Sequence, residues 1–319
     1  MNDDGGQGKT RSKNFFKQGE MKRNQAKVKV ILIFIVLTAV ILFAFIGAEL
    51  YMSRYCLKVT RCRIASEKIT APFRAVQLTD LHNSVFGDNN EKLTKMVSEE
   101  RPDIILITGD LLNQDEENTE TAEELIRKLS RIAPVYCSLG NHEVGYISGY
   151  NTDLISIYEG AGAEVLDFAY KDISVGADEN VIRIGGVYAY CLPEIYVSTG
   201  EANPQNVEFI NGMADTEYFT LLMAHMPVCW MINGSLDLYD IDCVVSGHAH
   251  GGQIIIPFIG GFYAPDQGFF IGREWGVFDS ADGKKHLILS TGLGSNEKIP
   301  RFNNIPEIVV IDFDGAVNE

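Results

Sequence analysis

The sequence predicts an α/β fold, a four-layer α-β-β-α sandwich with two mixed sheets, preceded by one N-terminal transmembrane helix. Three observations predict it. Between residues 73 and 160, short apolar runs alternate with stretches whose apolar residues recur at helical spacing. From residue 164 onward, strand-like runs dominate. Ahead of both lies Val30 to Ala48, 19 residues without a charge.

The N-terminal part divides by composition. Residues 1–29 are polar and basic and read as a disordered tail. Residues 30–48 would extend roughly 28 Å as a helix, the thickness of a bilayer core. A buried core helix and a cleaved signal peptide are the rival readings. The apolar region of a signal peptide is shorter, and Glu49-Leu50-Tyr51-Met52 offers no small-x-small site. Eight Lys/Arg precede the run, and Arg54, Lys58, Arg61, Arg63 and Lys68 follow it. The excess predicts a cytoplasmic N-terminus and a cell-membrane protein with its C-terminal part outside. Residues 49–71 read as a juxtamembrane linker and 72–319 as one folded domain.

Within that domain, Phe73 to Leu78, Ile104 to Ile107 and Val135 to Leu139 read as strands. Helices are expected over Asn90 to Glu100, Thr119 to Ile132 and Asp153 to Gly160. Three successive β-turn-α units imply right-handed crossovers and a parallel core sheet. Glu164 to Leu166, Ile173 to Val175 and Val181 to Val187 read as a meander. Asn206 to Met213 is a weak helix. Phe219 to Met223, Cys243 to Val245, Leu287 to Ser290 and Glu307 to Phe313 complete the strands. Residues 252–276 are Gly- and aromatic-rich and read as hairpin and loop, walling whatever site lies beside them. Phe258, Phe262, Tyr263, Phe269 and Phe270 are read there as packing residues, with a lipid-contacting rim as the alternative. Cys137, Cys191, Cys229 and Cys243 fall in or near apolar runs, and only Cys56 and Cys62 are close enough to form a local disulfide.

Ligand-type residues collect at strand ends. Asp80 and His82 follow the first strand, Asp110 the second, and Asn141 and His142 the third. His225 follows Phe219 to Met223, and His248 and His250 follow Cys243 to Val245. Five of the chain's six histidines lie in these motifs. In open α/β sheets, ligands bind outside the carboxyl ends of the strands. The donors are oxygen and nitrogen, with no thiolate. They suit Mn, Fe, Zn or Co as divalent ions. Even the seven other than His142 are too many for one catalytic zinc. They fit two divalent metal ions sharing a carboxylate, which together acidify a bridging water and clamp a phosphoryl group.

With Asp80-x-His82, Gly109-Asp110, Gly140-Asn141-His142-Glu143, His225 and Gly247-His248-x-His250, the sequence resembles the calcineurin-like metallophosphoesterases over about residues 72–312. The membrane-anchored start resembles a bacterial branch of that family. The resemblance implies that Asp80, His82 and His250 hold one metal, that Asn141, His225 and His248 hold the other, and that Asp110 bridges. It implies a phosphomono- or diesterase in which a metal-bridging hydroxide attacks. His142, which is not a ligand, would assist the leaving group. Many relatives read Gly-Asp-x-x-Asp and pair the second Asp with the catalytic His. Here that residue is Asn113.

Residues 1–48 carry +5, leaving −21 on the remainder of a chain of net charge −16. Such a balance disfavours a nucleic acid partner and a metal-dependent nuclease. A catalytically degraded metal- or phosphate-binding protein is the other alternative, and the intact ligand set argues against it. Tethering points to an envelope lipid or wall polymer as the phosphoester substrate. His286 is read as a surface residue, and so are Arg273 and Arg301, with a guanidinium fork on phosphate oxygens as their alternative.

Overall fold

The computed structural model describes residues 7–176, 180–188, 204–232, 235–264, 267–295 and 298–315. The chain divides into two units, Met1–Leu50 and Tyr51–Glu319.

The first helix, α1, runs Gln7–Tyr55 and so crosses that division. Its segment Met21–Tyr55 is long and apolar enough to cross a membrane, with mean hydropathy 3.2 in its apolar window and none of that window buried. Helix begins well inside the tail expected to be disordered. Lys, Gln, Arg, Met and Ala dominate residues 17–27, and all are good helix formers.

Two six-stranded sheets form the second unit. The first has the order β1-β15-β2-β3-β4-β5, from β1 (Lys58–Ser66), β2 (Phe73–Leu78), β3 (Ile104–Thr108), β4 (Val135–Ser138), β5 (Ala163–Val165) and β15 (Glu307–Gly315). Only β15 and β2 pair antiparallel in it. The second has the order β13-β14-β9-β8-β7-β6, from β6 (Ala169–Val175), β7 (Asn180–Val187), β8 (Phe219–Ala224), β9 (Cys243–Ser246), β13 (Gly276–Asp279) and β14 (His286–Leu289). Its two outer pairs are antiparallel and its centre is parallel.

Period-two alternation explains why these strands read as unbroken apolar runs. Ile105 and Ile107 of β3 pack toward the helices α2 (Glu91–Glu100), α3 (Glu120–Leu129) and α5 (Leu154–Ala161). Ile104 and Leu106 face the second sheet and share a core with Leu221, Met223 and Val245. Leu222 and Val244 point the other way, toward α6 (Pro204–Ala214) and α7 (Val228–Ile232). Both faces of each central strand are therefore buried, and each such side chain contributes roughly 1.5–3 kcal/mol relative to exposure. The layers are helix, sheet, sheet, helix, as expected. Two short elements complete the chain, α4 (Asn141–Tyr150) and α8 (Ser235–Leu238). A small third sheet is built from β10 (Ile255–Ile256), β11 (Gly260–Ala264) and β12 (Gly268–Gly272).

Some expectations are corrected. Residues 58–66, expected in a linker, form strand β1, parallel to β15 along its whole length. As an edge strand it keeps charged Lys58, Arg61 and Arg63, which hide it from an apolar-run search. Residues 163–165 do not join a meander with β6 and β7. They close the first sheet beside β4. Cys56 and Cys62 are free thiols, as are buried Cys137 and Cys243. Cys191 and the side chain of Cys229 lie outside the described residues. Arg301 is not a surface residue: its buried guanidinium donates to the carbonyls of Thr291, Gly294 and Asn304.

Candidate metal centre

Asp80 and His82 leave the end of β2, Asp110 the end of β3, and Asn141 and His142 start α4 just after β4. His225 follows β8, and His248 and His250 follow β9. The parallel pairing within each sheet brings these carboxyl ends to one edge. Backbone hydrogen bonds lace the loops together: Asp80 N–H donates to Gly109 O, His82 N–H to Asp110 O, and Gly247 N–H to His225 O, each at 3.0 Å. Two glycines permit the close approach. A Cβ on Gly140 would overlap Asp110, and one on Gly247 would overlap Thr79 and Asp80.

The eight residues singled out in the sequence converge. Side-chain donors lie within 4.8 Å of one another in three overlapping groups: Asp80, His82 and His250; His82, Asp110 and His142; Asp110, His225 and His248. Asn141 joins the last group, its Oδ1 3.0 Å from His225 Nε2. Asp110 stands at the centre, with Oδ2 3.2 Å from His225 Nε2 and 3.7 Å from His82 Nε2. Its Oδ1 accepts from His142 N–H at 2.9 Å. Both oxygens of Asp80 accept from His248 N–H. All but Asn141 are buried.

Five of these residues hold left-handed backbone: Asp80 (φ 53°), His82 (46°), Asp110 (55°), His248 (70°) and His250 (48°). Each costs of order 1–3 kcal/mol and is retained only where the surroundings impose it. The ladder of loop hydrogen bonds does that here.

Neighbours orient the rings. His225 Nδ1–H donates to Thr108 O at 2.7 Å, and His82 Nδ1–H donates to Asn113 Oδ1 at 3.0 Å. Each leaves Nε2 turned toward Asp110, an arrangement common in histidine metal ligands. Burial opposes a charge on His225, but the Asp110 charge and hydrogen bond outweigh it and lift His225 to about 10. Burial pushes His82 and His250 below the ordinary histidine value, which keeps their lone pairs available. His82 Nε2 and His250 Nδ1 are buried with no hydrogen-bond partner. Such orphaned nitrogens beside two carboxylates fit divalent cations.

Asn113 is where the sequence misleads. It pairs with His82 and, through Nδ2, with Glu116 Oε1 at 2.6 Å, not with His142. His142 Nδ1 instead accepts from Gln114 N–H at 3.1 Å, which leaves the ring proton on Nε2.

Glu143 was passed over in the sequence. It is fully buried, and its carboxylate accepts from the N–H groups of Asp110 (2.7 Å), Gly140 (2.8 Å) and Leu111 (2.8 Å) and from Tyr158 OH. Its signal was an acidic residue three positions into a helix whose N-cap is Gly140, a reach-back capping position. Burial and the Asp110 charge raise its carboxyl to about 7. Glu143→Gln would set an amide N–H against donors on every side. The expected loss is about 2–4 kcal/mol of stability, read from the urea midpoint. An unchanged midpoint would show that the two loops hold without it.

The family model for calcineurin-like phosphoesterases matches residues 73–252. Among curated relatives, the metallophosphoesterase YkuE of Bacillus subtilis is 28% identical over 272 residues, covering 83% of this chain and 88% of its own. The phosphodiesterase YaeI of Escherichia coli is 26% identical over 273 residues, 81% of this chain and 90% of its own. A transmembrane protein with a metallophosphoesterase domain from Danio rerio is 26% identical over 206 residues, 62% of this chain and 45% of its own. Sequence motifs, buried donor geometry and a family match across more than half its length together establish that the chain belongs to the calcineurin-like phosphoesterase family, and is a metal-dependent phosphoesterase.

Proposed function

We propose that the protein is a membrane-anchored hydrolase of phosphomono- or diesters that uses two divalent ions, with Mn, Fe, Zn and Co the candidates. The observation that carries this is the sharing of Asp110 between the His82 group and the His225–His248 group. A single carboxylate with a histidine at 3.2 Å and another at 3.7 Å supports a bridging role between two cations. Asp80, His82 and His250 would hold one ion, and Asn141, His225 and His248 the other. When bound, such a pair supplies charge stabilisation for the phosphoryl group and a nucleophile at neutral pH.

The chain's own residues supply the rest. The Thr108 carbonyl and Asn113 fix the rings of His225 and His82. The amide of His248 holds Asp80. His142 keeps a proton on Nε2 and is assigned its transfer to the departing oxygen. The apolar segment Met21–Tyr55 supports anchoring, and the zebrafish relative is itself named as transmembrane. The cationic excess ahead of the span supports an extracytoplasmic catalytic unit.

The test is chelator-treated full-length protein assayed on bis(4-nitrophenyl) phosphate. Turnover is expected to vanish and to return with added Mn²⁺, Fe²⁺, Zn²⁺ or Co²⁺, and elemental analysis of the active protein is expected to give two ions per chain. Full turnover in metal-free protein would overturn the reading.

A further inference from the structure

We infer that the small sheet of β10, β11 and β12 is a lipid-docking surface that seats the catalytic edge on the bilayer, so that phosphoesters carried by membrane lipids are within reach; this rests on the anchored phosphoesterase reading above. Of the two sequence readings of these aromatics, internal packing and a lipid-contacting rim, the exposure of the sheet's tips favours the second. Phe258 is fully exposed, and Ile259, Phe269 and Phe270 are 57%, 60% and 63% exposed. Phe262 packs against the last two, 5.3 Å from Phe269 and 5.4 Å from Phe270 between ring centroids. Phe258 and Phe270 also hold left-handed backbone, φ 67° and 60°. Bulky residues in that region are strained, and no burial offsets the strain here. Between Ile254 and Gly272 the sequence has one charged residue, Asp266.

Two connections name the occupant. The uncharged run ends at Ala48, and Ser53 lies five residues on, about 8 Å of helix. Buried Ser53 Oγ accepts from Asn304 N–H. Asn303 Nδ2 donates to Ile255 O, and Phe302 bridges to Ile254. The aromatic sheet is thus laced to the very residues that leave the span. On its other side it is fused to the metal centre. A Cβ on Gly252 would overlap Gly261 of β11, and Asn304 Nδ2 donates to His250 O. Exposed apolar clusters mark interaction sites, and faces rich in Phe and Leu bury into the headgroup/acyl boundary. A surface tied through Asn304 to Ser53, a few residues past the apolar run, and through Gly252 and Asn304 to the site suits a bilayer.

The experiment uses the full chain reconstituted in phosphatidylcholine vesicles, with or without brominated acyl chains. Emission of Phe270→Trp is expected to fall about twofold in the brominated vesicles, as for a ring at the interface. Leu238→Trp, exposed beside Asp237 at the opposite strand ends, is expected to be unaffected, and the unsubstituted chain supplies the background of Trp230 and Trp275. The joint variant Phe258→Ser, Phe269→Ser, Phe270→Ser is expected to lower turnover of vesicle-borne hexadecyl 4-nitrophenyl phosphate about tenfold relative to soluble bis(4-nitrophenyl) phosphate. Equal Phe270→Trp emission in both vesicles overturns the proposal. So does a mass doubling in detergent that the triple variant abolishes, which would assign the sheet to a second copy of this chain. An unchanged turnover ratio overturns the lipid substrate. Quenching is read without turnover, so docking is decided even if neither ester is hydrolysed.

Discussion

Asp110→Asn is expected to lower kcat/KM on an aryl phosphodiester by about 10³-fold, roughly 4 kcal/mol of transition-state stabilisation. The substitution changes one atom and removes one charge. Oδ1 still accepts from His142 N–H, so the start of α4 keeps its anchor. Lost is the anion that faces His225 at 3.2 Å and His82 at 3.7 Å. Two dications would then have Asp80 as the one carboxylate left among the described ligand residues. Metal content is therefore expected to fall together with activity. The far-UV spectrum and urea midpoint should stay near those of the parent. A variant that retains two ions per chain and full turnover would remove Asp110 from the centre of the account.

His142→Asn is the second large effect, with an expected loss of about 10²–10⁴ in kcat. Here metal content should not change, and that separates the two roles open to this side chain. His142 lies within donor distance of His82 and Asp110, so geometry alone permits a ligand. Its ring, 4.6 Å from that of His82 and nearly perpendicular to it, is instead held through Nδ1 by Gln114 N–H. Nε2 then carries a proton that no carboxylate claims. If that proton goes to the leaving oxygen, the loss should be steepest for alkyl esters, whose leaving groups need protonation, and shallow for nitrophenyl esters. A loss equal across leaving groups and accompanied by loss of metal would assign His142 to coordination.

Much of the fold was legible because burial on both faces writes itself into each strand. Ile104 to Ile107 and Cys243 to Val245 are apolar whichever way a residue points, since one face meets helices and the other meets the opposite sheet. β1 was not legible. An edge strand needs little burial on one side, and Arg61, Arg63 and Ala65 sit exposed on one face of β1 while Ile64 is buried on the other. Residues 255–272 misled in the opposite sense. Their aromatics have the composition of a core, yet Phe258, Phe269 and Phe270 face outward.

The candidate site divides along the same line. The kinds and spacing of its residues are local properties, so Asp80, His82, Asp110, Asn141, His142, His225, His248 and His250 could be named in advance. Which partner each one takes is not local. Asn113 turns to His82 rather than His142, and Glu143 gathers amides from both the Asp110 and Gly140 loops. Separations of 31 to 33 residues divide Asn113 from His82 and Glu143 from Asp110 and Leu111, and no periodicity reports on them. By itself, the sequence determined the two-sheet scaffold and the chemical identity of the donors, because strand burial and donor type are carried by each residue and its immediate neighbours. Only the tertiary structure decided ring orientation, the strained left-handed backbone at five site residues, and the outward turn of the aromatic sheet. Those depend on loops from different strands packing side by side, where hydrogen-bond geometry rather than hydrophobic pattern selects the conformation.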